Sequence, residues 1–278
     1  MISPPNDKQI LPVRSGSALL FPIRCLAAIG RFFIALLASI GRITRFGAMI
    51  LYRGALPPYY PGRFFHEVFE IGWNSLPVVA LTAVFTGSAL AQQVYSAASR
   101  FSAQSTVPAA VVIGMVRELG PVLVGLMVVG RVTSAIAAEL GAMRVTEQID
   151  AMETLHTDPY RYLLAPRLYA ATIALPVLVM LANVIGIFGG YLLSISKLGF
   201  NPENYLKVTR EFLRAEDVHM ALVKAAVFGF LMALLGCYNG FFASGGAAGV
   251  GRSTTRAVVS AFIMILFSNL MITMFFFG

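Results

Sequence analysis

The sequence predicts an all-α integral membrane protein, with an N-terminal interfacial helix, five transmembrane helices and a short charged helix on the cytoplasmic side. Hydrophobic residues make up 58% of the 278 residues, and charged residues make up only 12%. A soluble domain carries about 25% charged residues, so this chain has too little polar surface to coat a globule. Its mean hydropathy of +0.77 points to the same class.

The positive charge of the chain indicates a membrane surface rather than a nucleic acid. The net charge is +8, but the basic residues stand beside apolar runs and do not form a separate polar face. Seven Arg and one Lys precede Trp73, against three acids, which predicts a cytoplasmic N-terminus facing anionic lipid. The cysteines and histidines show no metal-ligand or catalytic spacing, so we predict no metal site, no cofactor and no catalytic residue on this chain.

The first 62 residues divide into two segments. Residues 1–17 are polar, and we expect a disordered cytoplasmic N-terminus. Residues 18–62 predict an amphipathic helical segment in the membrane interface, because the longest uncharged run there, 32–41, has ten residues. A span needs about 20 residues. The alternative is a short inserted helix whose arginines reach back to the interface.

Residues 63–278 form the predicted membrane domain, with five apolar runs long enough to cross. The runs are 76–94, 107–138, 168–195, 220–242 and 258–277. Lys and Arg in the short loops place the N-terminus in the cytoplasm and the C-terminus outside. The loop after the third run disagrees because it holds four basic residues, and its sequence predicts an outer amphipathic helix opened by Asn201-Pro202.

Charged residues interrupt the second apolar run. Arg117 and Glu118 belong to the motif RELGP, and each charge inside a membrane costs about 2.5 to 3.5 kcal/mol. Adjacent side chains on a helix point about 100° apart, so each charge needs its own partner. They either line a cavity for a charged or zwitterionic ligand or lock helices together. Further along the run, we expect Arg131 to pair with an acid such as Glu139 or to reach for solvent.

Residues 139–159 hold five of the thirteen acidic residues of the chain. Acids recur every three residues at Glu147, Asp150 and Glu153. The opposite face carries Val145, Ile149, Met152 and Leu155. The pattern predicts an amphipathic helix over about 144–158 that ends before Pro159. From the pattern alone, this helix is either a solvated loop resting on the membrane or a docking element for a cytoplasmic partner.

The glycine-rich stretch GGAAGVG at 245–251 lacks the Gly-Lys-Ser/Thr end of a phosphate-binding loop. We therefore expect a flexible loop between spans. Any nucleotide chemistry must come from another chain, or the energy must come from an ion gradient.

The charged, Gly and Pro positions together resemble the MlaE/YrbE family of permeases, the membrane subunits of ABC lipid transporters that work with MCE-domain proteins. The most characteristic stretch is RELGPVLVGLMVVGRVTSAIAAELGAMRVTEQIDAMETLHTDPYRYLLAPR at 117–167. Weaker similarity continues through GIFGGY, YNGF and STTRAVV, so that about 75% of the chain is covered.

The resemblance implies a homodimeric permease in the bacterial inner membrane that moves phospholipids to or from a periplasmic MCE-domain carrier and maintains outer-membrane lipid asymmetry. ATP would bind to a separate cytoplasmic ABC ATPase, and the expected partners include a small cytoplasmic accessory subunit. In this family a coupling helix transmits the ATPase motion. The resemblance assigns that role to 144–158, with Glu147, Asp150 and Glu153 facing the ATPase and Glu139 and Arg144 orienting the helix.

The lipid path implied by the resemblance lies between two permeases. It gives Tyr95, Arg117 and Glu118 as substrate-binding residues near the headgroup end of the lipid. Gln92 and Gln93 depart from the family pattern and make this wall more polar. Two other classes stay open: an ion-coupled secondary transporter that uses Arg117 and Glu118 as a relay, without a recognisable inverted repeat, and a ligand-free membrane scaffold.

Overall fold

The computed structural model describes residues 20–277, apart from the side chains of 20–29, 32, 33, 36 and 277. The predicted N-terminal segment 1–17 lies outside the described residues. The chain divides into two units, Met1–Arg45 and Phe46–Gly278. Helix α1, Leu20–Gly54, begins in the first unit and ends in the second.

All regular structure in residues 20–277 is helical. After α1 the helices are α2 (Pro61–Gly72), α3 (Leu76–Ala98), α4 (Val107–Gly114), α5 (Gly120–Val128), α6 (Ser134–Val145), α7 (Gln148–Thr154), α8 (Ala165–Ser196), α9 (Pro202–Phe212), α10 (Ala215–Phe241) and α11 (Gly246–Phe277).

Five continuous helical stretches among the described residues are long and apolar enough to cross a membrane. They are Pro61–Phe101, Gln104–Val145, Tyr160–Ser196, Ala215–Phe241 and Gly246–Phe276. These stretches confirm the predicted all-α membrane fold with five spans. The first, second, third and fifth extend well beyond the predicted apolar runs, because the helices continue past the apolar segment into more polar sequence.

Three π turns interrupt the α-helical pattern of the described spans. Met115–Leu119 and Val129–Thr133 lie in the second span, and Tyr160–Leu164 opens the third. A π turn closes its hydrogen bond over five residues rather than four and so adds one residue to the helix. Each of these turns contains an arginine: Arg117, Arg131 and Arg161.

Glycines bring the first and third spans into close contact. A Cβ at Gly189 would lie 2.6 Å from the carbonyl oxygen of Val84, and one at Gly190 would lie 3.1 Å from that of Gly87. A Cβ at Gly87 would overlap the Gly186 carbonyl. Small residues therefore let these two backbones touch, as they do in many membrane helix pairs.

The prediction of a flexible loop at 245–251 is wrong for most of that stretch. Helix α11 begins at Gly246, so five further residues of the stretch are helical. Val250 packs against Gly141, where a Cβ would lie 3.2 Å from the valine methyl group. Packing against the second span therefore outweighs the poor helix propensity of the glycines.

The predicted amphipathic helix between the third and fourth spans is confirmed as α9. The side chain of Asn201 caps its N-terminus, because Oδ1 accepts hydrogen bonds from the backbone N–H groups of Glu203 at 2.9 Å and Asn204 at 3.3 Å. Tyr205 is buried against Tyr191 and Phe200, and this burial raises the pKa of its phenol.

A methyl group added between the first and third spans should destabilise the fold. We expect Gly87→Ala to lower the free energy of unfolding by about 1 to 3 kcal/mol, because the new Cβ must push the Gly186 backbone away. Gly251→Ala is the matched control, since its Cβ would have no neighbour within 4 Å. Thermal unfolding in detergent measures both, and an equal effect would contradict the close contact.

Candidate functional site

Arg117 and Glu118 lie in the π turn Met115–Leu119, and each has its own partner on α10. Nε of Arg117 donates to Oδ1 of Asp217 at 2.7 Å, and the Asp217 side chain is only 5% exposed. Oε1 of Glu118 accepts from Nζ of Lys224 at 2.8 Å. Separate partners are what adjacent opposite charges on a helix require.

Lys224 also donates to a backbone carbonyl beside Pro121. In an α-helix the carbonyl of Arg117 accepts from the N–H of residue 121, but Pro121 has none. Nζ of Lys224 donates to this carbonyl at 2.8 Å, and the Lys224 side chain is fully buried. Lys224 thus pairs with Glu118 and satisfies the backbone at the same point.

The fifth span completes the surroundings of Glu118. Oγ1 of Thr273 donates to Oε1 at 2.9 Å, and Nδ2 of Asn269 donates to Oε2 at 2.9 Å. The Glu118 side chain is nevertheless 41% exposed, and that of Arg117 is 28% exposed. The partners of these charges tie three spans together, and part of each charge still faces outward.

A cavity of about 690 Å³ lies beside Arg117 at the junction of α10 and α11. Its charged and polar lining includes Arg117, Arg214, Glu216, Asp217 and His219, and its apolar lining includes Met220 and Phe276. This mixture can accommodate a molecule with a charged group and an apolar portion.

Tyr95 belongs to a different cluster from the ion pairs. Its ring packs at 5.9 Å against Phe200, edge to face, beside the buried residues Ala91 and Val107. Gln92 and Gln93 are exposed on the same helix. The tyrosine is thus a half-buried packing residue, and the two glutamines present the polar surface here.

Four partners of the ion cluster were not predicted from the sequence: Asp217, Lys224, Asn269 and Thr273. A signal for Lys224 was present, because it is a lone charge inside the fourth apolar run. Asn269 and Thr273 are four residues apart and so share one face of α11. Nothing in one sequence tells which span that face meets.

The expected pairing of Arg131 with Glu139 is wrong. Nη2 of Arg131 donates to the carbonyl of Glu70 at 2.6 Å and to Oγ of Ser75 at 2.8 Å. These acceptors lie where α2 passes through the short 3₁₀ turn Trp73–Ser75 into α3. Glu139 instead accepts from Nη2 of Arg167 at 2.5 Å.

The acidic segment after the second span is not one continuous helix. Helix α6 ends at Val145, Glu147 takes a left-handed conformation with φ of 59°, and α7 covers only Gln148–Thr154. The predicted helix over 144–158 is therefore too long at both ends. On its apolar face Ile149 is buried, whereas Leu155 is 76% exposed because it lies beyond α7.

The acids of this segment divide into two groups. Glu147, Asp150 and Glu153 are exposed, and Arg144 forms an ion pair with Asp150. Asp158 instead ties the segment to the rest of its unit. It accepts from Nη1 of Arg53 at 3.2 Å and from the backbone N–H of Tyr160 at 3.0 Å.

Comparisons with known proteins agree with this architecture. The family model described as Permease MlaE matches residues 64–275. A probable ABC transporter permease protein of Rickettsia bellii is 49% identical over 250 residues, which cover 90% of this chain and 96% of the relative.

Two further relatives have more specific names. The protein TRIGALACTOSYLDIACYLGLYCEROL 1, chloroplastic, of Arabidopsis thaliana is 36% identical over 76% of this chain and 60% of its own length. The intermembrane phospholipid transport system permease protein MlaE of Haemophilus influenzae is 30% identical over 92% of this chain and 98% of its own length. The match over most of the chain shows that this protein belongs to the MlaE family of ABC transporter permeases.

Proposed function

We propose that this chain is the membrane subunit of an ATP-driven transporter that moves phospholipids between the inner membrane and a periplasmic MCE-domain carrier, and so maintains outer-membrane lipid asymmetry. The observation that carries the proposal is the similarity, over 92% of the chain, to a relative named as a phospholipid transport permease. The intramembrane charges at Arg117 and Glu118 suit a lipid with a charged headgroup.

ATP binds to a separate cytoplasmic ATPase in this proposal. The glycine-rich stretch lacks the lysine of a phosphate-binding loop, and most of it forms the start of α11. The exposed acids Glu147, Asp150 and Glu153 offer a surface for basic groups of that ATPase. Arg144 orients this surface through its pair with Asp150, and Glu139 anchors the preceding helix through Arg167.

The functional unit in this proposal is a homodimer with lipid between the two copies. In the most apolar 18-residue stretch of each span, only 22% of the first span and 11% of the fifth are buried within the chain, against 67% of the fourth. Exposed apolar side chains such as Leu81, Phe85, Ile263 and Phe267 supply the surface for a second copy and for acyl chains. Tyr95 takes part from the end of the first span.

The protein lies in the bacterial inner membrane in this proposal, with its N-terminus in the cytoplasm and its C-terminus in the periplasm. The basic N-terminal region supports this orientation. A small cytoplasmic accessory subunit is a further expected partner.

Charge reversal of the exposed acids should weaken ATPase binding. We expect Glu147→Lys, Asp150→Lys and Glu153→Lys together to lower the affinity for the ATPase by about tenfold or more, because rim charges set electrostatic complementarity. The matched control reverses Glu203 and Glu211, which are exposed on α9. Co-purification and ATPase titration measure the change, and unchanged binding would contradict the docking role.

A double-mutant cycle at Glu118 and Lys224 separates structural locking from lipid binding. We expect Glu118→Gln alone to lower the free energy of unfolding by about 3 kcal/mol, because it leaves the buried Lys224 without a counter-charge. Glu118→Gln with Lys224→Met removes both charges and should restore much of that stability.

Transport by the stable double variant gives the answer. If Glu118 binds lipid, the double variant assembles with its ATPase but carries less lipid into acceptor vesicles. Full transport by this variant would show that the Glu118–Lys224 pair only holds the helices together. Transport by the wild-type permease alone, under a proton gradient and without the ATPase, would support the ion-coupled alternative.

A further inference from the structure

Arg167 joins three helices at one buried point. It lies on α8 and is only 1% exposed. Its Nε donates to Oε1 of Glu67 on α2 at 3.0 Å, and its Nη2 donates to Oε1 of Glu139 on α6 at 2.5 Å. A guanidinium binding two carboxylates has a fixed geometry, and losing either partner leaves part of a buried charge uncompensated.

The position of this cluster in the chain is unusual. Glu139 lies on the helix that enters the acidic segment, and Arg167 lies on the helix that follows it. Glu67 belongs to α2, the start of the first span, which is distant in sequence. Helices α6 and α8 flank α7 in the sequence, and Arg167 links both of them to the first span. The first span is not a sequence neighbour of α7.

A polar cavity of about 170 Å³ lies between α2 and α6 beside the cluster. Its lining includes His66, Glu67 and Glu70 from α2, and Arg131 and Glu139 from the second span. The two helices are not packed against each other across this cavity. The Glu67–Arg167–Glu139 bridge, together with the Arg131 hydrogen bonds near the end of α2, links the two spans beside this cavity.

The rest of the first span contacts the third span through a different kind of surface. Backbones meet at Gly87, Gly186, Gly189 and Gly190. Such smooth contacts permit small sliding movements of packed helices. Near its α2 end the first span is thus tied by ion pairs as well as by packing against α8, and further along α3 it meets α8 at glycines.

We propose that Arg167 is a positioning residue that makes the start of the first span follow the α7 segment when the ATPase moves it. The inference rests on the proposed function, because it requires an ATPase that binds α7. Movement of α6 and α8 reaches Glu67 through the two ion pairs, and α3 accommodates it by sliding on the glycines. Glu67 is then part of energy coupling through its ion pair with Arg167.

Glu67→Gln tests the link, and Glu70→Gln is the matched control. Glu70 lies one turn further along α2, where its carboxylate accepts from Nδ2 of Asn74. In the permease–ATPase complex in vesicles, Glu67→Gln should keep ATPase binding and ATP hydrolysis. It should lower phospholipid transported per ATP by about fivefold or more. Glu70→Gln should leave that ratio unchanged.

Spin-label distances test the movement itself. Labels at Phe65→Cys on α2 and Ala142→Cys on α6, both exposed positions, are placed in a chain with Cys25 and Cys237 replaced by alanine. With Glu67 intact, the distance should stay constant between the nucleotide-free and ATP-trapped states. With Glu67→Gln, it should change or broaden between those states. Glu139→Gln should have the same effect, and because Glu139 is 56% exposed this variant tests the link even if Glu67→Gln does not fold.

Three outcomes would overturn the inference. The first is an unchanged transport ratio in both folded variants. The second is a label distance that already changes with nucleotide when Glu67 is intact. The third is a wild-type permease that binds no ATPase. That result would also refute the proposed function, and it would be seen before any variant is compared.

Discussion

The pairing of buried charges holds this membrane domain together. Lys224 and Arg167 are 0% and 1% exposed, and each binds groups on other helices. An unpaired charge in a membrane interior is costly, so a helix that carries one has few alternative positions. Apolar packing between helices is less selective, because lipid tails are as apolar as the side chains they replace. The two ion clusters therefore fix which helices are neighbours, and the glycine and aliphatic contacts fill in around them.

The features that depend on short-range sequence were predictable. Long apolar runs predict spans because about 20 apolar residues cross the hydrocarbon core, and these spans are helical because a helix satisfies its own backbone groups there. The Asn201 cap predicts the start of α9 because its hydrogen bonds reach only two and three residues ahead. The need of Glu118 for a separate partner was also predictable, since it follows from helix geometry alone.

The choice of partner and the exact ends of helices were not predictable. Arg131 binds carbonyls of α2 rather than Glu139, and such a choice depends on which helices meet. The spacing of the acids suggested one helix over 144–158, but a repeat of three residues does not reveal a left-handed residue such as Glu147. The glycines in 245–251 suggested a loop. The packing of Val250 against Gly141, which stabilises the helix there, is visible in the structure and not in the sequence.

The π turns change which face of its side-chain pattern the second span presents along its length. Each turn holds one residue more than an α-helix would use, so it corresponds to a single-residue insertion. The π turn absorbs this extra residue, so the side-chain pattern beyond it is offset by one residue, or about 100°, while the helix axis continues. The segments α4, α5 and α6 can therefore each present a different face without a break in the span. A relative that lacks one of these residues would replace the π turn by an ordinary α-helical turn and keep the orientation of the following segment, so alignment gaps at Met115–Leu119 or Val129–Thr133 would mark permeases without the π turn.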